Sequence, residues 1–180
     1  RMVSGIGEDT GQDKEEIQEE GLPVVPLNKR KLLIIEDDTD VREFLKEELS
    51  VYFEVMAEAD GNAGLERAYS YDADLIICDV MMPIKDGFEC CREVKECPDT
   101  CSIPFIMLTA KVEDDDIIHG LELGADDYVL KPFTPGILKA KVSNLINGRQ
   151  ALKQMYTKLF KLPGTDIVNF DETEQSGEEV

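Results

Sequence analysis

Apolar residues fall along the chain in two alternating rhythms. Contiguous runs at Lys31–Glu36 (KLLIIE), Asp74–Cys78 (DLIIC) and Pro104–Leu108 (PFIML) have the length and composition of buried strands. Tyr52–Glu58 and Asp127–Leu130 read as two more. Between these runs the apolar positions recur at helical spacing. Val41, Phe44, Leu45 and Leu49 mark a first helix, with Asp40 and Glu43 as its capped start. Gly61–Tyr71, Gly87–Cys97 and Glu113–Leu123 read as further helices, ended respectively before Asp74, at Pro98 and by Gly124. Thr134 and Pro135 suit the N-cap and first turn of a last helix. Five strand–helix units predict an α/β fold, with a parallel sheet doubly wound by helices on both faces. Ligands in such folds bind beyond the carboxyl ends of the strands, so chemistry is expected there.

Outside this pattern the chain changes character. Residues 1–28 are rich in Glu, Gly and Gln and end in Pro23-Val24-Val25-Pro26, which reads as an acidic flexible linker. The alternating region sets a domain at 29–148, and 149–180 reads as a helical extension and acidic tail. A chain opening on Arg1 is expected to be a piece of a longer one. No apolar stretch approaches the ~18 residues of a membrane span, and no signal peptide is visible. The five cysteines, Cys78, Cys90, Cys91, Cys97 and Cys101, are odd in number and lack framework or zinc spacing, so reduced thiols in a cytoplasmic protein are expected. A net charge of -20 argues against direct nucleic-acid binding and leaves no basis for membrane contact. Bases cluster at Lys131, Lys139, Lys141, Arg149, Lys153, Lys158 and Lys161, where a solvated helix face is the plainer reading than an acidic partner's contact.

The strand ends carry the candidate chemistry. After the first strand stands Glu36-Asp37-Asp38, where a dinucleotide-binding turn would be glycine-rich. Three acids repel an anion and attract a hard cation such as Mg2+. Helix capping explains the same acids without a metal. Asp79 ends an apolar strand, a costly position for an unpartnered carboxylate. If the first and third strands are neighbours, Asp37 and Asp79 converge, and the pair then needs a cation or a shared proton. Thr109-Ala110 and Lys131-Pro132-Phe133 end the fourth and fifth strands. Acids, a hydroxyl and an ammonium at one edge are the set that phosphoryl transfer requires.

Glu36-Asp37, Asp79-Val80-Met81-Met82-Pro83 with Asp86-Gly87, Thr109-Ala110, and Gly124-Ala125-Asp126-Asp127-Tyr128 with Lys131-Pro132-Phe133 resemble the signature of response-regulator receiver domains over roughly residues 31–147. The resemblance implies a flavodoxin-like sheet of order 2-1-3-4-5. It implies that Asp79 is the nucleophile phosphorylated by a histidine kinase in a Mg2+-dependent phosphorelay. Asp37 and Asp79 would ligate Mg2+, with Glu36 acting through water and Met81 through its main-chain carbonyl. Thr109, the Ala110 N–H and Lys131 would hold the phosphoryl oxygens, Lys131 before a cis Pro132. Thr109 and Tyr128 would form the switch. Asp38 is expected to face the first helix. His119, the only histidine, reads as a surface residue.

Two other classes compete. A phosphatase with an aspartate nucleophile needs an acid two residues later, where Met81 stands, and a nucleotide-binding module conflicts with the acidic first turn. The chain is therefore read as a phosphoacceptor rather than an enzyme. The linker ahead of the first strand resembles hybrid proteins in which a sensor histidine kinase precedes the receiver. Leu138, Val142, Leu145, Arg149, Leu152, Tyr156 and Leu159 follow alternating four- and three-residue spacing, a heptad-like seam that a homodimer would use. Arg149 interrupts that seam and Gly148 weakens it.

Overall fold

The computed structural model describes residues 29–110 and 113–160; the expected linker over 1–28, Lys111 and the tail from Lys161 onward lie outside the described residues. Five strands alternate with five helices: β1 (Lys31–Ile35), α1 (Thr39–Ser50), β2 (Glu54–Glu58), α2 (Gly61–Tyr71), β3 (Leu75–Asp79), α3 (Gly87–Glu96), β4 (Phe105–Thr109), α4 (Asp114–Glu122), β5 (Asp127–Leu130) and α5 (Pro135–Phe160). All pairings are parallel, in the order β2-β1-β3-β4-β5. This is the doubly wound, flavodoxin-like arrangement, with its switch point between β1 and β3.

The parity of the central strands divides the interior in two. Leu33, Ile35, Ile76, Cys78, Phe105 and Met107 face α2, α3 and α4, where Leu65, Cys90, Cys91 and Val94 meet them. Leu32, Ile34, Leu75, Ile77, Ile106 and Leu108 face the other way, toward Leu45 and Leu49 of α1 and Leu138, Val142 and Ile146 of α5. Each such side chain contributes about 1.5–3 kcal/mol on burial, so the sheet is held from both sides. Burial on both faces is why β1, β3 and β4 read as unbroken apolar runs.

Several boundaries differ from the sequence reading. The start of α1 is capped by Asp38, whose carboxylate accepts from the Val41 N–H at 3.0 Å, and not by Asp40 with Glu43. Because the helix begins at Thr39, Asp40 already lies inside its first turn. β2 begins at Glu54, since the Tyr52 and Phe53 N–H groups still bond to the Leu49 carbonyl. β3 and β4 begin one residue later than the apolar runs, at Leu75 and Phe105, and end in Asp79 and Thr109 as expected. Gly124 closes α4 at φ 99°. The Thr134 carbonyl accepts the Leu138 N–H at the start of α5. That helix passes Gly148 without a break.

The seam on α5 is divided. Leu138 and Val142 are fully buried in the domain's own core and Leu145 packs against it, whereas Leu152, Tyr156 and Leu159 are exposed. Only the latter part is open to another surface. Among the described residues no helix is long and apolar enough to cross a membrane.

Candidate functional site

Register alone brings the acids together. Ile35 of β1 stands beside Cys78 of β3, so the next residues, Glu36 and Asp79, leave the sheet side by side. One carboxylate oxygen from each of Glu36, Asp37 and Asp79 lies within 4.8 Å of the others. Glu36 is fully buried and Asp79 nearly so, while Asp37 is exposed.

Lys131, one residue past β5, reaches across to this cluster. Its Nζ lies 2.7 Å from Glu36 Oε2 and 3.2 Å from Asp79 Oδ1. Burial pushes the Glu36 carboxyl above its ordinary range; the Lys131 hydrogen bond pulls the other way and the Asp79 charge pushes further up. Burial alone would lower the Lys131 ammonium, but the Glu36 hydrogen bond and the charges of Asp79 and Glu36 outweigh it, so it rises. Both groups respond as members of a partly desolvated charge cluster.

The donor set fits a hard cation, which takes carboxylate oxygens and retains several waters. Both Glu36 oxygens are already engaged, Oε2 by Lys131 and Oε1 by the Asp38 N–H at 3.2 Å. That leaves Asp37 and Asp79 as the carboxylates suited to direct coordination. Asp38 is occupied as a helix cap and stands outside the acidic cluster.

β4 supplies the hydroxyl. Asp79 pairs in register with Leu108, and the Val80 N–H bonds to the Leu108 carbonyl at 2.8 Å, so Thr109 follows immediately beside the acid. Thr109 is buried and Ala110 is exposed. The Lys131 N–H donates to the Thr109 carbonyl at 2.8 Å, fixing the ends of β4 and β5 together. The Lys131–Pro132 peptide is cis. Met81 lies two residues beyond Asp79 with its side chain mostly exposed.

Tyr128 is half-buried against α4. Its hydroxyl donates to the Asp116 carbonyl at 3.0 Å. Burial pushes that hydroxyl up to about 12, with Cys91 and Asp116 adding to the rise. Gly120 makes the position possible, because a Cβ there would overlap the Tyr128 hydroxyl and lie 2.6 Å from Cζ. His119 is exposed on α4 with its ring 5.0 Å from that of Phe88, outside the acidic cluster.

Two supporting residues escaped the sequence reading. Arg42, on the first turn of α1, donates to the Glu36 carbonyl at 2.8 Å and the Asp37 carbonyl at 3.2 Å, bracing the acidic turn from behind. Gly87 is expected from the sequence as a helix start and a motif residue, but not as a packing requirement. A Cβ there would collide with the Asp79 carbonyl and lie 2.8 Å from Val80 Cα, so α3 can start against the end of β3 only with glycine.

A family model described as the response regulator receiver domain matches residues 32–143. Among curated relatives, "Probable transcriptional regulator ycf27" of Cyanophora paradoxa is 43% identical over 121 residues, 67% of this chain and 49% of the relative. The transcriptional regulatory protein GltR of Pseudomonas aeruginosa is 36% identical over 146 residues, 81% of this chain and 57% of the relative. The chain thus spans about half the length of the curated relatives it matches. Among solved structures, the receiver domain of a signal transduction histidine kinase from Syntrophus aciditrophicus is 35% identical with a TM-score of 0.62, covering 66% of this chain and 91% of its own. A putative response regulator from Chloroflexus aurantiacus is 38% identical with a TM-score of 0.63, covering 66% and 98%.

Proposed function

Because the chain belongs to the response regulator receiver family of two-component signalling, we propose that it acts as a Mg2+-dependent phosphoacceptor with Asp79 as the group that takes the phosphoryl. One observation carries this reading: Glu36 and Asp79 both join the acidic cluster and the ammonium of Lys131, but both Glu36 oxygens are already engaged, whereas Asp79 stands at the end of β3 beside β4, with the buried Thr109 one residue beyond its register partner Leu108.

The phosphodonor is a histidine kinase. An Asp79 carboxylate oxygen attacks the donor phosphorus and forms an acyl phosphate bond. The bond from phosphorus to the donor nitrogen breaks, and its electron pair leaves with the imidazole. Asp37, Asp79 and the Met81 carbonyl would hold Mg2+, with Glu36 acting through water; the ion supplies charge neutralisation for the phosphoryl oxygens when bound. Lys131, now shared between Glu36 and Asp79, turns its ammonium to the new dianion. Thr109 and the Ala110 N–H donate to the remaining oxygens. The shift of Thr109 is read by Tyr128, whose hydroxyl is tied to α4.

This makes the chain a signalling domain that assists its own modification, in the cytoplasm where kinases draw on ATP and Mg2+. The names of the curated relatives support a transcriptional output for the parent protein. A hybrid sensor-kinase parent has the Syntrophus receiver in its favour. A homodimer would have to use the exposed part of α5.

Incubation with acetyl phosphate, with Mg2+ or with a chelator, tests the reading by intact mass. One added phosphoryl group is expected, only with Mg2+, and none on Asp79→Asn. Steady turnover of phosphate esters without an adduct would favour a phosphatase instead.

A further inference from the structure

The amino-terminal edge of the sheet carries a cleft that the phosphoacceptor site does not use. Its volume is about 350 Å3, and it sets Lys29, Arg30 and Lys31, at the start of β1, against Arg149 and Lys153 of α5. Asp79 stands at the other end of β3, about 16 Å away along a five-residue strand.

Five cations here meet two carboxylates, Asp72 and Asp74, in a chain of net charge -20. The carboxylates do not balance them. Asp74 accepts the Lys31 N–H at 2.8 Å and lies 3.6 Å from Arg30, so its charge is already committed. Asp72 is exposed just past α2. Among the described residues Lys29, Arg149 and Lys153 form no ion pair. Lys29 Nζ donates to the Ser50 carbonyl at 3.0 Å, and the Arg149 guanidinium to the Ser102 hydroxyl at 2.7 Å. Arg30 ties the two sides together through Gln150 Oε1 at 2.6 Å. The cations on β1 and α5 are thus fixed opposite one another before any ligand arrives, which lowers the cost of binding. Like charges gathered on a concave surface raise the local concentration of anions.

Size and charge select the occupant. A cleft of this volume suits a small molecule. Five cations less two carboxylates leave an excess of three positive charges, more than a single carboxylate neutralises. Guanidinium and ammonium groups spread along two walls suit an anion with several oxygens in a row. We propose that this cleft binds a small oligophosphate, either inorganic pyrophosphate or the diphosphate of a nucleotide, with Arg149 and Lys153 on one side of it and Lys29 on the other. The bound anion bridges the start of β1 to α5 where the helix leaves the domain, since residues 151–160 are all exposed. It steadies that helix without touching the acidic cluster at the opposite edge.

Calorimetric titration of the full 180-residue chain, with Mg2+ chelated, tests this against pyrophosphate, ADP, adenosine and a hexaglutamate peptide. Pyrophosphate should bind one to one, more weakly as salt is raised. Arg149→Gln and Lys153→Gln should each weaken it about tenfold, the loss of one hydrogen bond to a charged group. Lys46→Gln, which removes an exposed cation on α1 outside the cleft, should leave the affinity unchanged. ADP binding as tightly as pyrophosphate or more tightly would admit the nucleotide as a source; weaker ADP binding would name the inorganic ion. Hydrogen exchange over residues 149–157 should slow when pyrophosphate is added. Absence of saturable pyrophosphate binding at millimolar concentration would overturn the proposal. So would equal losses in all three variants, or exchange over 149–157 that ignores the anion. Adenosine binding as tightly as ADP would show that the phosphates are not what is recognised. Hexaglutamate binding more tightly than pyrophosphate would replace the oligophosphate with an acidic protein segment.

Discussion

Gly120→Ala should expel Tyr128 from its place against α4. The new methyl group would occupy the space of the phenol hydroxyl and lie 2.6 Å from Cζ, and a helix backbone cannot retreat that far. The ring must therefore swing outward. Its bond to the Asp116 carbonyl is lost, at a cost of about 1 kcal/mol. Re-exposing ~80 Å2 of ring costs about 2 kcal/mol more. Alanine in a helix interior returns about 1 kcal/mol. The net is a destabilisation of ~2 kcal/mol, a fall in melting temperature of ~8 °C. Tyrosinate absorbance during alkaline titration isolates the cause. Tyr71 and Tyr128 are both pushed up to about 12 by burial first of all. In the variant Tyr128 should titrate with ordinary phenols near ~10, leaving Tyr71 as the late one of the pair. The sign follows from linkage. A raised folded-state pKa gives stability that is complete below pH ~10 and is lost as pH climbs toward 12, and the variant should lack the Tyr128 share of that loss. Tyr128→Phe serves as the control. An unchanged titration together with a raised melting temperature would refute the reasoning, since it would mean that the ring never filled the space above Gly120.

Three further perturbations separate the parts of the site. Asp37→Asn should abolish most of the rise in melting temperature caused by Mg2+, expected to be about 1.4 kcal/mol at ten times the Kd, while Asp38→Asn should keep it because asparagine still caps α1; equal losses would mean that the ligand is misassigned. Met81→Asn should speed loss of the phosphoryl group after the donor is removed, because the exposed Met81 side chain offers no amide or carboxylate to orient a water; decay followed by intact mass would contradict this if the wild type were already bare within seconds. Ile84→Asn should stabilise the fold by about 1 kcal/mol in a urea melt, since Ile84 is 90% exposed at φ 70°, a conformation costly for a β-branched residue and tolerated by asparagine; an unchanged midpoint would show that the strain is absent.

The central strands were legible because burial on both faces leaves no room for polar residues in β1, β3 and β4. Their exact bounds were less so, since the apolar runs of β3 and β4 start one residue early, at Asp74 and Pro104. Asp79 and Thr109 keep their places in the ladders but are polar, so the apolar runs stop at Cys78 and Leu108 and only the polar residue that follows each run marks the true end. The acidic turn invited two explanations, and its three residues divide: Asp38 caps the helix, while Glu36 and Asp37 cluster with Asp79. Arg42 and Gly120 were not legible, because what each does depends on a neighbour that spacing does not reveal. Arg42 bonds main-chain carbonyls, and Gly120 faces a ring from β5. The α5 seam shows the same limit. Its periodicity marks an apolar face, but not which part the domain's own core covers, as for Leu138 and Val142, and which part stays exposed, as for Leu152, Tyr156 and Leu159.

The most direct test of the phosphoacceptor reading is to locate the modified residue. The chain is phosphorylated with acetyl phosphate and Mg2+, reduced with borohydride, which converts an acyl phosphate to the corresponding alcohol, and sequenced by fragment mass. The account predicts homoserine in place of aspartate at position 79 and nowhere else, with none formed when Mg2+ is chelated. Homoserine at position 37 or 38 with Asp79 intact, or labelling that persists without the metal, would contradict it.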